Sequence, residues 1–142
     1  MRVLAIDVGE RRIGLAISDA SGLLARPLSA LTVTGDADAL ERVAREIARL
    51  SSEEDGVATI VVGVPVRLDG SPSAQTAHVA AFIEALKTRT LLPIVTEDER
   101  LTSREAESRL AVAERDWRIR KMKLDAASAA IILQDYLDRE RS

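Results

Sequence analysis

The period at which apolar residues recur changes along the chain, and this change most constrains the fold. Residues 3–6 form a short apolar run that predicts a strand buried on both faces. Residues 12–19 alternate between large apolar and small side chains, which predicts a second strand after a tight turn at residues 9–11. Residues 24–33 predict a third strand, and Pro27 within it favours the edge of a sheet.

After residue 33 the pattern becomes helical and then alternates between helix and strand. In chain order it first predicts a helix over 40–50, with Asp36 or Asp38 as its cap, and a strand over 58–64. A second helix follows, with Val79, Phe82, Ile83 and Leu86 on its apolar side, and then a strand over 93–96. A third helix runs from the capping box of Thr102 and Glu105 through Leu110, and a last helix covers 124–137.

This order predicts an α/β fold with a mixed five-stranded sheet flanked by helices. The 142 residues fall within the usual range of about 100–200 for one domain, and no repeat or linker divides them. We therefore expect a single domain over residues 1–142. Its core should be aliphatic, because aromatic residues make up only 2% of the chain.

The composition limits the kind of metal site that the chain can build. It has no cysteine and one histidine, which excludes thiolate sites and histidine-rich zinc sites. A bound metal would be a hard cation held by carboxylates, namely Mg²⁺, Mn²⁺ or Ca²⁺. The net charge of −3 gives no overall attraction to nucleic acid, so any basic surface must be local. No stretch matches a signal peptide or a membrane span, and we expect a cytoplasmic protein.

Asp7 follows the first predicted strand, in a position where carboxylates often have a function. Open α/β sheets bind their ligands at the carboxyl ends of the strands. The other interpretation is that Asp7 caps the turn at Gly9, since aspartate is a common turn residue. Position alone leaves both interpretations open.

A second acidic group follows the strand predicted at residues 93–96. Strand alternation places Glu97 and Glu99 on one side and Asp98 on the other. One of these carboxylates facing Asp7 would make a cation site, whereas a solvated acidic turn beside Arg100 is the alternative interpretation.

Asp125 lies at the predicted start of the last helix, followed by the small residues 126–130. The small side chains would let this helix approach the sheet closely, although Asp125 also suits the role of an N-cap. Three carboxylates from two strand ends and one helix can hold two Mg²⁺ roughly 3.5–4 Å apart across a scissile phosphate. One ion then activates water and the other stabilises the leaving oxygen, and Asp7 would bridge the two.

Basic residues are placed to suit a polyanion. Two follow Asp7, and a cluster around the only tryptophan precedes Asp125. Such side chains contact phosphates without reading sequence, and the indole could stack on an unpaired base. A solvated helix end is the alternative interpretation of the cluster. The predicted nucleic-acid-binding residues are Arg11, Arg12, Arg100, Arg115, Trp117, Arg118, Arg120, Lys121 and Lys123.

Four segments together resemble a known family. They are residues 5–19 (AIDVGERRIGLAISD), 61–71 (VVGVPVRLDGS), 98–103 (DERLTS) and 124–130 (LDAASAA). In this order and spacing they resemble the YqgF family, also called RuvX, of pre-16S rRNA nucleases and Holliday junction resolvase-like proteins.

The resemblance implies a minimal RNase H-like domain related to the RuvC resolvases. It implies a catalytic, metal-binding site of Asp7, Glu99 and Asp125 with Mg²⁺ or Mn²⁺, and Asp98 is a candidate additional ligand. Two positions depart from the family's pattern. Glu10 stands where threonine or lysine is frequent, and Arg67 where asparagine is frequent, so the substrate contacts there are in question.

The expected function is that of a metal-dependent endonuclease acting on structured nucleic acid. The substrate would be the 5′ end of precursor 16S rRNA or a Holliday junction, and symmetric cleavage of a four-way junction predicts a homodimer. One alternative is a non-catalytic nucleic-acid-binding or ribosome-assembly factor. Another is a nucleotide-binding protein of the actin-like fold, which shares the first-strand Asp-x-Gly turn but uses two such domains.

Overall fold

The computed structural model describes residues 1–67, 69–98 and 117–141, with the backbone alone for residues 117–124. In chain order its elements are β1 (Arg2–Val8), β2 (Arg12–Ser18), β3 (Ala25–Thr32), α1 (Asp36–Ser51), β4 (Val57–Val64), α2 (Ala74–Leu86), β5 (Ile94–Asp98) and α3 (Trp117–Glu140).

The five strands form one mixed sheet in the order β3-β2-β1-β4-β5. β1 pairs antiparallel with β2 and parallel with β4, while β2–β3 is antiparallel and β4–β5 is parallel. The central position predicted for the first strand is therefore confirmed. β3 is an edge strand, as predicted, which explains why Pro27 is tolerated although it has no N–H to donate.

The two faces of the sheet pack against different helices. Large aliphatic side chains such as Leu4, Ile6 and Leu15 pack on the face covered by α1 and α2. The face under α3 carries small residues, including Ala5 and Ala16. Since successive strand residues point to opposite faces, one strand supplies both cores. The small residues let α3 lie close to the sheet.

Two helix starts differ from the sequence prediction. α1 begins at Asp36 with Gly35 as its N-cap, so neither Asp36 nor Asp38 fills that role. The Asp38 carboxylate instead accepts a hydrogen bond of 2.9 Å from the backbone N–H of Thr34. Asp36 and Asp38 still stabilise α1 without being its N-cap, because a carboxylate within the first turn interacts with the positive end of the helix dipole.

The predicted start of the last helix at residue 124 was also wrong. α3 is helical from Trp117, so Asp125 lies eight residues inside it and is not its N-cap. The intervening Arg, Lys and Met residues have good helix propensity, and the helix continues through them. The helix predicted at residues 102–110 lies outside the described residues. Among the helices that are described, none has the length and apolar character needed to cross a membrane.

Candidate active site

Asp7 lies near the carboxyl end of the central strand. It is half-buried and pairs with Gly14 of β2 across the antiparallel ladder. Ala5, two residues earlier, packs in the core beneath α3. Because alternate residues of a strand share a face, Asp7 belongs to the α3 face as well. The neighbouring hairpin turn is closed by a 2.9 Å bond from Gly9 N–H to the Arg12 carbonyl.

The backbone of α3 lies directly on Gly14. A Cβ placed on Gly14 would be 2.0 Å from the carbonyl oxygen of Asp125 and 2.4 Å from its carbonyl carbon. Residues opposite each other in an antiparallel pair point to the same face, about 4.5–5.5 Å apart. The absent side chain of Gly14 therefore lets α3 bring Asp125 beside Asp7. Sequence analysis predicted a close helix from the small residues of α3 and missed the matching glycine in β2.

Arg12 lies against Asp125. Its Nε atom is 3.0 Å from Asp125 Oδ2, and the two side chains are 27% and 29% exposed, respectively. This places one predicted nucleic-acid-binding arginine on a predicted metal ligand, an arrangement that the sequence does not reveal. The neighbouring Arg11 is exposed, and its carbonyl accepts a 2.8 Å hydrogen bond from Val33 N–H.

The acidic end of β5 divides between the two faces. Glu97 pairs with Gly63 and Asp98 pairs with Val64, a residue that packs against the core under α1 and α2. Glu97 is 7% exposed and forms an ion pair with Arg139 of α3. The predicted alternation of Glu97 and Asp98 is thus confirmed. Asp98 falls on the face opposite Asp7, and its role as an additional ligand stays a prediction.

Glu97 is a buried acid near the site that the sequence analysis considered as one possible partner of Asp7 but did not include in the predicted catalytic set. The register pairs Ile6 with Val62, so one step further along these parallel strands Asp7 stands beside Gly63. Glu97 stands beside Gly63 on the other side. Asp7 and Glu97 thus occupy one row across the sheet, separated by a strand position that has no side chain. Alternation in the sequence was the available signal, since it put Glu97 on the same side as Glu99.

The remaining predicted residues fall outside what the structure describes in atomic detail. Asp7 and Asp125 are two of the three predicted catalytic acids, and the third is Glu99. In the described ranges alone, no group of three or more His, Cys, Asp or Glu side chains is arranged to hold a metal. Outside the described residues lie Glu99, Arg100 and Arg115, and α3 is described by its backbone alone at Trp117, Arg118, Arg120, Lys121 and Lys123.

The donor chemistry of this end of the sheet fits a hard divalent cation. Asp7 and Asp125 offer carboxylate oxygens on one face, and oxygen donors are what Mg²⁺ and Mn²⁺ prefer. Asp125 Oδ2 is itself a buried atom that lies beside a cationic group. The chemistry of these donors therefore fits a hard divalent cation, although Arg12 already lies against one of them.

Asp19, which ends the first resembling segment, has a structural role in the β2–β3 turn. Its carboxylate accepts hydrogen bonds from the Ser21 hydroxyl and from the backbone N–H groups of Leu24 and Leu23, at 3.2 and 2.9 Å for the backbone pair. These bonds, that of Ser21 first, lower the pKa of Asp19 below its ordinary value of 3.8. Asp19 holds the turn and does not reach the candidate active site.

The only histidine lies on the other side of the sheet. His78 lines a cavity of about 240 Å³ between α1 and α2, together with Leu40 and Phe82. Its Nδ1 atom is 4.0 Å from Asp36 Oδ1. Since α1 and α2 cover the face opposite α3, His78 lies on the face of the sheet opposite Asp7.

Comparison with known proteins identifies relatives over the whole chain. A family model described as RuvX, Holliday junction resolvase, matches residues 1–139. A protein of Desulforudis audaxviator is 36% identical over 142 residues, which cover 100% of this chain and 97% of the relative. One of Chloroflexus aurantiacus is 42% identical over 140 residues, covering 99% of this chain and 88% of the relative. Both carry the provisional name of a pre-16S rRNA nuclease.

A solved structure shares the fold. RuvC of T. thermophilus, in complex with a Holliday junction substrate, superimposes with a TM-score of 0.59 and 14% identity. The match covers 100% of this chain and 96% of that chain. Together with the strand order, this shows that the mixed sheet and its helices form an RNase H-like fold, as the resemblance implied.

Proposed function

The chain belongs to the RuvX family of nucleases, and from that we propose that it is a Mg²⁺- or Mn²⁺-dependent endonuclease acting on structured nucleic acid. One observation supports the site above all others, namely the contact between Gly14 and the backbone of Asp125. This contact brings the backbone of Asp125 in α3 next to the β2 residue that pairs with Asp7 of the central strand.

We propose that Asp7, Asp125 and Glu99 hold the cation, with Glu99 assigned by resemblance to the family's Asp-Glu-Arg motif. Divalent ions in such sites activate water and stabilise the charge that develops on the leaving oxygen. The chain's own contribution is to fix these carboxylates on rigid elements. Asp7 is held by the central strand and Asp125 by a helix that rests on the sheet, so the backbone positions of both are fixed before binding.

The first candidate substrate is the 5′ end of precursor 16S rRNA. Relatives of 36% and 42% identity over essentially the whole chain carry that activity in their names. The second candidate is a Holliday junction, which the family description and the RuvC complex name. The described basic residue at the site, Arg12, would contact phosphate and therefore suits either polymer.

The direct test is cleavage of precursor rRNA and of a four-way DNA junction side by side, each with Mg²⁺ and with Mn²⁺. Asp7→Asn removes one carboxylate charge without changing the size of the side chain. We expect it to abolish metal-dependent cleavage and to leave the circular dichroism spectrum and unfolding midpoint close to wild type. Asp55→Asn is the matched control, because Asp55 is exposed in the turn before β4.

Full activity in Asp7→Asn would sink the proposed mechanism. Tight binding of precursor rRNA without cleavage by the wild type would instead favour a non-catalytic assembly factor. Calorimetric binding of ATP without nuclease activity would favour the actin-like alternative.

A further inference from the structure

The Arg12–Asp125 pair is fixed at both ends by the backbone. Arg12 is the first residue of β2, pairs with Thr32 of β3, and its carbonyl closes the hairpin turn. Asp125 is held where its carbonyl passes over Gly14, two residues further along β2. The guanidinium and the carboxylate therefore meet because β2 and α3 fix the backbones of both residues. The pair differs in this from a contact between two mobile side chains on the surface.

This contact occupies a carboxylate oxygen that the proposed function assigns to a cation. A guanidinium and a divalent cation placed on the same oxygen would repel each other, and partial burial reduces the screening of that repulsion. The two positive groups must therefore compete for Asp125 Oδ2. The Arg12 side chain is still about a quarter exposed, so it has a route away from the carboxylate toward solvent.

We propose that Arg12 neutralises Asp125 before the metal arrives and is displaced toward the nucleic acid when a divalent cation binds. The inference rests on the proposed function, since it takes Asp125 to be a metal ligand. It extends that function by making metal binding and phosphate binding depend on each other. The released guanidinium carries a full positive charge and can form two parallel hydrogen bonds to a backbone phosphate.

Two other roles of Arg12 predict different results. If Arg12 only clamps α3 to the sheet, its removal loosens Asp125 and weakens metal binding. If Arg12 only contacts nucleic acid, its removal leaves metal affinity unchanged. Competition alone predicts that removing Arg12 strengthens metal binding, because the cation then displaces no guanidinium from Asp125.

The experiment is calorimetric titration of Mn²⁺ into the full chain in the absence of nucleic acid. We expect Arg12→Met to lower the Kd for Mn²⁺ by about two- to fivefold, the range that partly exposed ion pairs contribute. Arg26→Met is the matched control, because it removes the same charge from an exposed position of β3. Its Kd should equal that of the wild type. An unchanged or higher Kd in Arg12→Met overturns the proposal.

A second measurement follows the released arginine. With Ca²⁺ as the added cation, and the RNA checked on a denaturing gel to be intact, we expect wild-type affinity for a 5′-labelled RNA hairpin to rise severalfold on adding the ion. In Arg12→Met this rise should be smaller, because only the bound ion then contributes to it. A rise of the same size in both proteins overturns the release of Arg12. Should Arg12→Met fail to fold, Arg12→Gln removes the same charge with a polar side chain and should shift both readouts in the same directions.

These readouts separate the inference from the proposed function. Tighter Mn²⁺ binding by Arg12→Met together with a wild type that cleaves nothing would support the competition and refute the nuclease. Metal-dependent cleavage by the wild type, with no change of Mn²⁺ affinity in Arg12→Met, would support the nuclease and refute the competition. A wild type that binds no Mn²⁺ overturns both.

Discussion

At the scale of single residues, Gly14 sets the geometry of the candidate active site. It carries no catalytic group, yet the distance between α3 and β2 depends on its missing side chain. The same reasoning applies to Gly63, which leaves the row between Asp7 and Glu97 clear of a side chain. Glycines within strands often mark a place where another backbone approaches closely.

We therefore expect Gly14→Ser to displace α3. A Cβ 2.0 Å from a backbone oxygen cannot be accommodated by turning a side chain, so the helix must move. Urea unfolding should show that the free energy of unfolding falls by about 1–3 kcal/mol, the usual cost of overpacking a tight interface. Metal-dependent cleavage should fall as well, because Asp125 moves with the helix.

Gly35→Ser is the matched control for this substitution. No atom lies within 4 Å of a Cβ at Gly35, and serine is a favoured N-cap for α1. Its stability and activity should equal those of the wild type. Equal stability of Gly14→Ser and Gly35→Ser would contradict the close approach of α3.

At the scale of elements, α3 is the part of the structure on which the site depends. Its middle rests on Gly14, and its later part is tied to the start of β3. There the side-chain amide of Gln134 accepts a 2.9 Å hydrogen bond from Ala25 N–H and donates one of 3.0 Å to the Leu23 carbonyl. A helix held at two separated points keeps Asp125 in place without needing a cap.

The Glu97–Arg139 ion pair is a third attachment of α3, to β5. Arg139→Met should leave the buried Glu97 carboxylate without this cation and lower the free energy of unfolding by about 1 kcal/mol. We expect a loss of this modest size because the Arg139 side chain is 62% exposed, and solvent screens its charge. Adding Glu97→Gln should recover much of the loss, since a neutral amide is cheaper to bury than a carboxylate.

A double-mutant cycle by urea unfolding measures this coupling directly. Additive losses from Arg139→Met and Glu97→Gln would show that the pair contributes nothing. A lower cleavage rate under conditions where Arg139→Met is still fully folded would show in addition that β5 helps α3 to position Asp125.

At the scale of the whole molecule, the sheet separates two environments. One face packs large aliphatic side chains against α1 and α2, and the other packs small residues against α3 beside the carboxylates. The histidine and its cavity lie on the first face, the candidate active site on the second. A net charge of −3 means that nucleic acid must approach through a local basic surface and not through overall attraction.

The oligomeric state discriminates between the two candidate substrates. Symmetric cleavage of a four-way junction requires two active sites on one substrate, so a junction resolvase should be a dimer with twofold symmetry. Light scattering coupled to size-exclusion chromatography, with and without junction DNA, measures this. A monomer under both conditions that cleaves precursor rRNA would assign the RNA as substrate and contradict symmetric junction cleavage.

The sequence by itself determined whatever depends on neighbouring residues. The spacing at which apolar residues recur predicted the five strands and the first two helices, and Pro27 indicated the edge strand. The alternation of side chains along a strand assigned Glu97 and Asp98 to opposite faces of the sheet. The lack of cysteine and the single histidine limited the metal chemistry to oxygen donors. These signals are local because side-chain direction repeats within each element.

Only the tertiary structure decided how distant segments meet. It placed Asp125 inside α3, with its backbone against Gly14, which lies more than a hundred residues earlier in the chain. It also paired Asp125 with Arg12 and the buried Glu97 with Arg139. No period in the sequence encodes these contacts, because they arise from how helix and sheet surfaces fit together. Packing therefore turned separate acidic residues into one candidate active site.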